Sequence, residues 1–522
     1  LADERPQRMQ FQCSPYHTNT AFYPAINFLR EAAGLTSQDN AQTQLNKLDV
    51  LARESGIDSQ ETVALFADLL SIRGDNRYPP LTVSSEKRKD LTLEALVHHL
   101  QRSADRSPVL FIVEDAHWID PTTLDLMTRI IDRIRQMRVL LLITFRPDFK
   151  PVWADYSHAT LLTVSRLPRR QSAELVRAMT GGKALPPEVQ QAILAKTDGV
   201  PLYIEALMEN VVESGLLTEG NDSFTLKASF KELPIPDSLQ ALLMERVDRL
   251  GPAKAIVQTG AAIGREFTYE LVRATVEGTD SQLRNALDMF VASGLIVQES
   301  KIPLATYHFK HALVQEAAYS TLPKKPRRLL HARIAKALES LFPERVTLEP
   351  ELLAYHYEQA GLAGPAVDYW HRAARRGVER SANIEALNQF TRALDVLKDL
   401  PLGPERDAVE LELLLARGAP LLSVKGYASD EMEHNYRRAK DLSQGNSDSV
   451  LQFRAIWGLW VLHLVKGHLD DARGLAEALL ALANREHSSD LLVGAHRSLG
   501  NTCFWLGRFD EARTHLLTVR SL

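Results

Sequence analysis

The chain has 522 residues, 45% hydrophobic and 24% charged, a formal net charge of −5 and two cysteines. That length exceeds what one hydrophobic core serves and points to about three or four domains of ordinary globular composition, while the apolar runs fall well short of a bilayer span. Cys13 and Cys503 are too few and too far apart in sequence for a disulfide framework or a cysteine metal site, so a reducing cytoplasm is expected, and the acidic balance gives no general attraction to nucleic acid.

Residues 1–12, "LADERPQRMQFQ", lack the basic-then-apolar order of a signal peptide and open in mid-pattern, which reads as a fragment. From Arg8 to about Phe145, short apolar strands ("MQFQC", "VLFIV", "RVLLLIT") alternate with longer helical patterns that include Phe22–Ala33 and Thr122–Gln136. Such alternation predicts an α/β domain with a parallel sheet. The run at Val109–Val113 predicts a strand buried on both faces, and it ends in two adjacent acids, Glu114 and Asp115. Asp120-Pro121 then opens a helix, because aspartate accepts orphan backbone N–H groups and proline suits the first helical position.

Residues 167–233 read as helices. Residues 237–300 carry four short helical patterns, followed by the extended runs "GLIVQES" and "ATYHFK", an order that predicts a winged helix. "KKPRR" at Lys324–Arg328 reads as a solvated helix entrance. Beyond about Glu349 no strands are expected. "LVKGHLDDAR" at Leu464–Arg473 and "FWLGRFDEAR" at Phe504–Arg513 align with an offset of 40 residues, and Ala354, Tyr357, Ala366, Trp370 and Ala373 show tetratricopeptide-like spacing. These patterns predict a helical solenoid. Ala512–Leu522 reads as a helix without a stop signal.

Acids at the carboxyl end of a parallel strand lie where such sheets bind ligands. Nucleotide hydrolysis needs magnesium to neutralise phosphate charge and an oriented attacking water, and hard carboxylate oxygens serve both. "RVLLLIT" leads into Phe145-Arg146-Pro147-Asp148, which brings Thr144 and Arg146 to the same sheet edge. A guanidinium there matches phosphate oxygens and keeps its charge.

"FIVEDAHWID" followed by "LLITFRPDF" resembles the Walker B and sensor strands of the STAND class of AAA-related ATPases, signal-transduction switches with a nucleotide module, winged helix and repeat sensor. "DGVPLYIEALMENVVESGLL" resembles that family's Gly-x-Pro lid motif, mapped on Gly199 and Pro201, and "YHFKHALVQEAAYSTL" resembles its winged-helix end, with His311 as reader of the β-phosphate. "FQCSPYHTNTAFYPAINFLREAAGL" at Phe11–Leu35 resembles the version found beside bacterial class III adenylyl or guanylyl cyclase domains; related proteins instead carry a LuxR-type DNA-binding domain.

The resemblance implies a multidomain α/β plus α chain: a truncated P-loop-NTPase-type core at 1–165, a helical lid at 166–234, a winged helix at 235–345 and an incomplete TPR-like α-solenoid at 346–522. It implies ATP/ADP and Mg2+ as cofactors, with Asp115 and Arg146 as catalytic residues and Glu114 and Asp115 as metal ligands. Thr144, Gly199, Pro201 and His311 are the implied nucleotide-binding residues. Partners implied are the nucleotide, a protein or small-molecule effector on the repeats and a linked cyclase domain, with homo-oligomers on activation, no membrane and no DNA binding by these residues.

Walker A, the glycine-rich loop ending Gly-Lys-Ser/Thr, has no match. "TGGKAL" at Thr180–Leu185 has Arg177 where the leading glycine belongs and Ala184 in place of the magnesium-binding hydroxyl. The family places this loop one helix before "CSPYH", so it is expected to precede Leu1. The roles of Glu114 and Asp115 are interchangeable on sequence, because the first Walker B acid is more often aspartate. His311 reads equally as a phosphate contact or a hydrogen-bonded core histidine, Pro201 as an adenine contact or a helix opener, and His117 and Trp118 as packing residues of the turn. Three functions follow: an ATP-driven switch whose bound nucleotide, held between core and winged helix, locks a closed state that a ligand on the repeats releases, a repeat scaffold with a decayed ATPase, or an ATP-dependent LuxR-type transcriptional regulator.

Overall fold

The computed structural model describes residues 6–36, 39–54, 60–72, 77–78, 81–227, 236, 238–427, 429–444 and 448–522. The chain forms two units: residues 1–155 with 344–522, and residues 156–343. The fold is mostly helical, with a small parallel sheet and a long run of helices compatible with a repeat solenoid.

In the first unit, strands β1 (Gln7–Gln12), β2 (Val109–Glu114) and β3 (Val139–Ile143) form a parallel sheet in that order, registered Gln12↔Glu114 and Val113↔Ile143. Helices α1 (Tyr23–Ala32), α2 (Ala41–Glu54), α3 (Gln60–Leu69), α4 (Ser85–Arg106) and α5 (Pro121–Arg133) lie between or after them. Ser84 caps α4 by accepting from Lys87 N, and α4 buries Leu93, Leu96, Val97, Leu100 and Ala104, a spacing that aligns them on one helix face.

The sheet is covered on one face. Phe11 meets Phe111 edge-on at 4.8 Å and Phe28 of α1 at 5.8 Å, and Phe28 in turn packs against His99 of α4. Strand β2 alternates, burying Val109, Phe111 and Val113 while Leu110 and Ile112 are only half-buried. On β3, Leu140 is 61% exposed and Leu142 45%. The expectation of a strand buried on both faces is therefore corrected, because α1 and α4 pack on the phenylalanine side and the register puts Leu140 and Leu142 beside Leu110 and Ile112 on the other.

The second unit opens with α6 (Arg169–Met179), α7 (Pro187–Thr197) and α8 (Pro201–Glu213). Here the all-helical expectation misses a hairpin of β4 (Leu217–Glu219) and β5 (Phe224–Leu226), turned through the Gly-Asn-Asp-Ser stretch after Glu219. Helices α9 (Leu239–Asp248), α10 (Lys254–Ile263), α11 (Tyr269–Thr275) and α12 (Asp280–Ala292) follow, with β6 (Glu266–Thr268) before α11. Strands β7 (Ile296–Glu299) and β8 (Thr306–Phe309) are the two extended runs read from sequence, and β6 joins them in a sheet of order β6-β8-β7. Helices α13 (Ala312–Ser320) and α14 (Lys324–Leu341) close the unit, the basic run lying in the first turn of α14.

The chain re-enters the first unit through α15 (Pro343–Leu348). The rest is helical: α16 (Pro350–Ala360), α17 (Ala363–Glu379), α18 (Asn383–Leu397), α19 (Pro404–Lys425), α20 (Asp430–Ser443), α21 (Ser449–Lys466), α22 (Leu469–Glu486), α23 (Ser489–Trp505) and α24 (Phe509–Ser521). Neighbouring helices pack in sequence order, as in a solenoid. The repeat positions coincide physically: Ala472 and Ala512 are both buried, and Gly467 and Gly507 both adopt left-handed backbone, with φ of 78° and 76°. No atom crowds either glycine, so the turn conformation is what selects it. Among the described residues no helix is long and apolar enough to cross a membrane.

Candidate functional site

The acid pair lies at the carboxyl edge of β2, where three strand ends are stitched together. Cys13 N donates to Glu114 O at 3.0 Å, Thr144 N donates to Val113 O at 2.9 Å, and Ala116 N donates to Thr144 O at 2.8 Å. The Thr144 hydroxyl accepts from Asp115 N at 3.1 Å. Asp115 adopts left-handed backbone with φ of 56°, a conformation that aspartate tolerates better than most side chains. The structure therefore brings Glu114, Asp115 and Thr144 together, and gives Thr144 the task of holding the turn that presents Asp115.

Arg146 places its guanidinium 5.2 Å from the Trp118 ring, a cation–π contact at the same edge. His117 lies tilted on Trp118 with ring centroids 4.2 Å apart. Burial pushes its pKa down and Arg146 adds to this, against the opposing charges of Asp115 and Asp148. Both of its ring nitrogens are shielded from solvent without a hydrogen-bond partner. A neutral imidazole with free donor and acceptor capacity thus borders the acids, where sequence reading assigned only packing. Cys13, close to Asp120 and Asp115, has its thiol pKa pushed up, first by burial, and is a packed structural residue.

Behind this edge lies a second layer, of which the sequence announced only the Asp120 cap. Asp120 is the N-cap of α5 and accepts from Thr123 N at 2.8 Å and from Phe22 N at 3.0 Å. Its other carboxylate oxygen is buried and unpartnered, and burial followed by the charge of Glu385 raises its pKa to about 7. Glu385, on solenoid helix α18, accepts from Thr122 N at 2.8 Å and from its hydroxyl at 2.6 Å. The loop after β1 is held likewise: Thr20 donates to Glu351 of α16 at 2.7 Å, and Gln389 of α18 donates to Asn19 O at 2.7 Å. At the end of α3, Arg376 and Arg380 of the solenoid both donate to the Ser71 hydroxyl at 2.9 Å. Glu351 and Glu385 are buried in their helices, 7% and 2% exposed, and carboxylates set among apolar residues of a helix were the available signal.

The remaining predicted residues belong to the second unit. Gly199 has φ of 71°, and a Cβ there would come within 2.2 Å of Leu167 O, so only glycine fits. Its carbonyl accepts from Leu167 N at 2.8 Å. Pro201 occupies the first turn of α8. His311 is the N-cap of α13 but makes no side-chain cap hydrogen bond. Burial and then Lys310 lower its pKa, while Glu205 and Glu209 of α8 pull the other way, which places α8 near this imidazole.

The Gly-Lys pair is not a phosphate cradle. Gly182 N donates to Arg177 O at 2.8 Å and Gly181 N to Ala178 O at 3.1 Å, closing the carboxyl end of α6. Lys183 pairs with Glu219 at 2.6 Å.

No family model matches the chain. An uncharacterized protein of Rhizobium meliloti (strain 1021) is 27% identical over 519 residues, covering 98% of this chain and 48% of that protein, so the chain spans about half the length of the curated relative it matches. Among solved structures it is similar to a Signal Transduction ATPase with Numerous Domains (STAND) protein with a tetratricopeptide repeat sensor from Pyrococcus horikoshii, at 12% identity over 99% of this chain and 74% of that one, with a TM-score of 0.36. At that score the architecture has to be read from the chain's own elements.

Proposed function

We propose that this chain is the switch and sensor part of a bacterial ATP-binding and ATP-hydrolysing signal-transduction protein that controls an output domain of the nucleotide-cyclase kind. The observation that carries this reading is the acid pair held at the carboxyl edge of a parallel sheet by Thr144, with Arg146 and an unpartnered imidazole beside it. The oxygens of Glu114 and Asp115 are hard donors that fit magnesium, which would supply charge neutralisation at the phosphates. Asp115 would orient the attacking water, and Arg146 would meet the terminal phosphate. An effector bound by the repeats has a route to this edge, because Glu351 grips the loop after β1 and Glu385 the amino end of α5, which follows β2.

A scaffold with an inactive ATPase is the competing reading, favoured by the commitment of the Gly181 and Gly182 amides to the α6 cap. The two separate in a protein carrying its own upstream sequence. Asp115→Asn there should abolish ATP hydrolysis while leaving ATP affinity within a few fold, since phosphate cradling belongs to a glycine-rich loop and not to the acid. Absence of magnesium-dependent ATP binding in that longer protein would establish the scaffold reading, and equal loss of affinity and turnover would leave Asp115 as a metal anchor or structural residue and not the group that orients the water.

A further inference from the structure

We propose that His463, His468 and Asp471 form a transition-metal site of the zinc class at the turn between α21 and α22. One ligand atom from each of the three lies within 4.8 Å of the others. His463 sits in the last turn of α21, and His468 and Asp471 lie at the N-cap and first turn of α22. Gly467 takes left-handed backbone between them, which folds the three side chains onto one small surface.

The spacing is that of co-ligands rather than of a hydrogen bond. His463 Nδ1 is shielded from solvent and makes no hydrogen bond, and its separation from Asp471 Oδ2 is 3.5 Å. Two donors bound tetrahedrally to zinc at their usual distances of roughly 2.0–2.1 Å stand about 3.3 Å apart. Two imidazoles and one carboxylate form a borderline donor set that favours zinc-like ions over magnesium or calcium, with further positions left for water.

The next repeat carries different residues at this turn. At the same offset of 40 residues, Cys503, Arg508 and Glu511 replace His463, His468 and Asp471. There the carboxylate is neutralised by protein cations: Arg508 lies 3.5 Å and Arg473 3.3 Å from Glu511. Shifted back by the same offset, the two arginine positions are His468 and Glu433. Glu433 is acidic and is held by Lys466 at 2.8 Å and Arg437 at 2.5 Å. Both guanidiniums that satisfy Glu511 are thus absent around Asp471, and imidazoles stand near it instead.

The test is titration of the 522-residue chain with zinc chloride by calorimetry, and with cobalt chloride by visible absorption. One equivalent of Zn2+ per chain with micromolar or tighter affinity is expected, together with cobalt d–d bands and a rise in melting temperature, since a ligand of the folded state stabilises it. His468→Ala and Asp471→Asn, both at exposed positions, should each weaken Zn2+ binding about tenfold or more with unchanged circular dichroism, while His487→Ala at the far end of α22 should not. No stoichiometric binding, or binding that survives undiminished in both variants, overturns the site.

Discussion

Asp120 shows how one carboxyl can serve structure in its neutral form. One oxygen caps α5 and receives the Phe22 amide, while the other is buried without a partner beside the charge of Glu385. Its pKa of about 7 in the folded chain, against an ordinary 3.8, means that folding retains a proton the unfolded chain gives up. The contribution to stability is fully present below about pH 4 and is lost as the pH rises through about 7. Asp120→Asn keeps an acceptor oxygen and cannot ionise, so it should melt higher than the parent at about pH 8 and show a flatter dependence between about pH 5 and 8. Asp120→Ala should melt lower throughout, by about 1 kcal/mol for the lost cap. Thermal melts across that range check both, and an Asn variant that follows the parent at every pH would remove the buried proton.

The contact between α18 and the amino end of α5 depends on one side chain in the same way. Glu385→Ala leaves the Thr122 amide and hydroxyl without their acceptor, at about 1–3 kcal/mol for each buried group that finds no substitute, whereas Glu385→Gln keeps an acceptor. Hydrogen exchange should therefore quicken in residues 13–22 and at the start of α5 in the Ala variant, with little change in α22–α24. Exchange confined to α18 would make the contact incidental to the sheet edge. Elements of this kind were unevenly legible. Asp120-Pro121 announced α5, and the two extended runs announced the β7–β8 hairpin, because capping and alternation are local signals. The β4–β5 hairpin, three residues a side, is too short for period-2 alternation to stand out against its helical neighbours.

For the molecule as a whole, the two units are tested separately: the acids lie in the first, and Gly199, Pro201 and His311, the nucleotide contacts expected from the family resemblance, lie in the second. Gly199 already has a sufficient structural reason in its approach to Leu167, so His311 is the informative one to change. Its side chain makes no cap hydrogen bond, which means truncation should cost α13 little. In the protein carrying its upstream sequence, His311→Ala should lower ADP affinity roughly five- to a hundredfold, the range for a coupling of about 1–3 kcal/mol, with an unchanged melting temperature. A lower melting temperature with unaltered ADP release would assign His311 to packing alone.

Composition, periodicity and local motifs were enough to read a parallel α/β sheet, the paired extended runs β7 and β8, a run of helices and an acid pair at a strand end. Each of these rests on residues close together in the chain: the apolar run of β2, the cap at Asp120, the 40-residue echo of Gly467 in Gly507. The grip of Glu351 on Thr20 and of Glu385 on Thr122 spans 331 and 263 residues, and nothing near either glutamate hints at its partner. The same holds for the burial that raises the Asp120 pKa, and for the open face of the sheet at Leu140 and Leu142. Desolvation and long-range pairing depend on which surfaces meet, and that is settled only when the helices of residues 344–522 pack against the loops of residues 1–155.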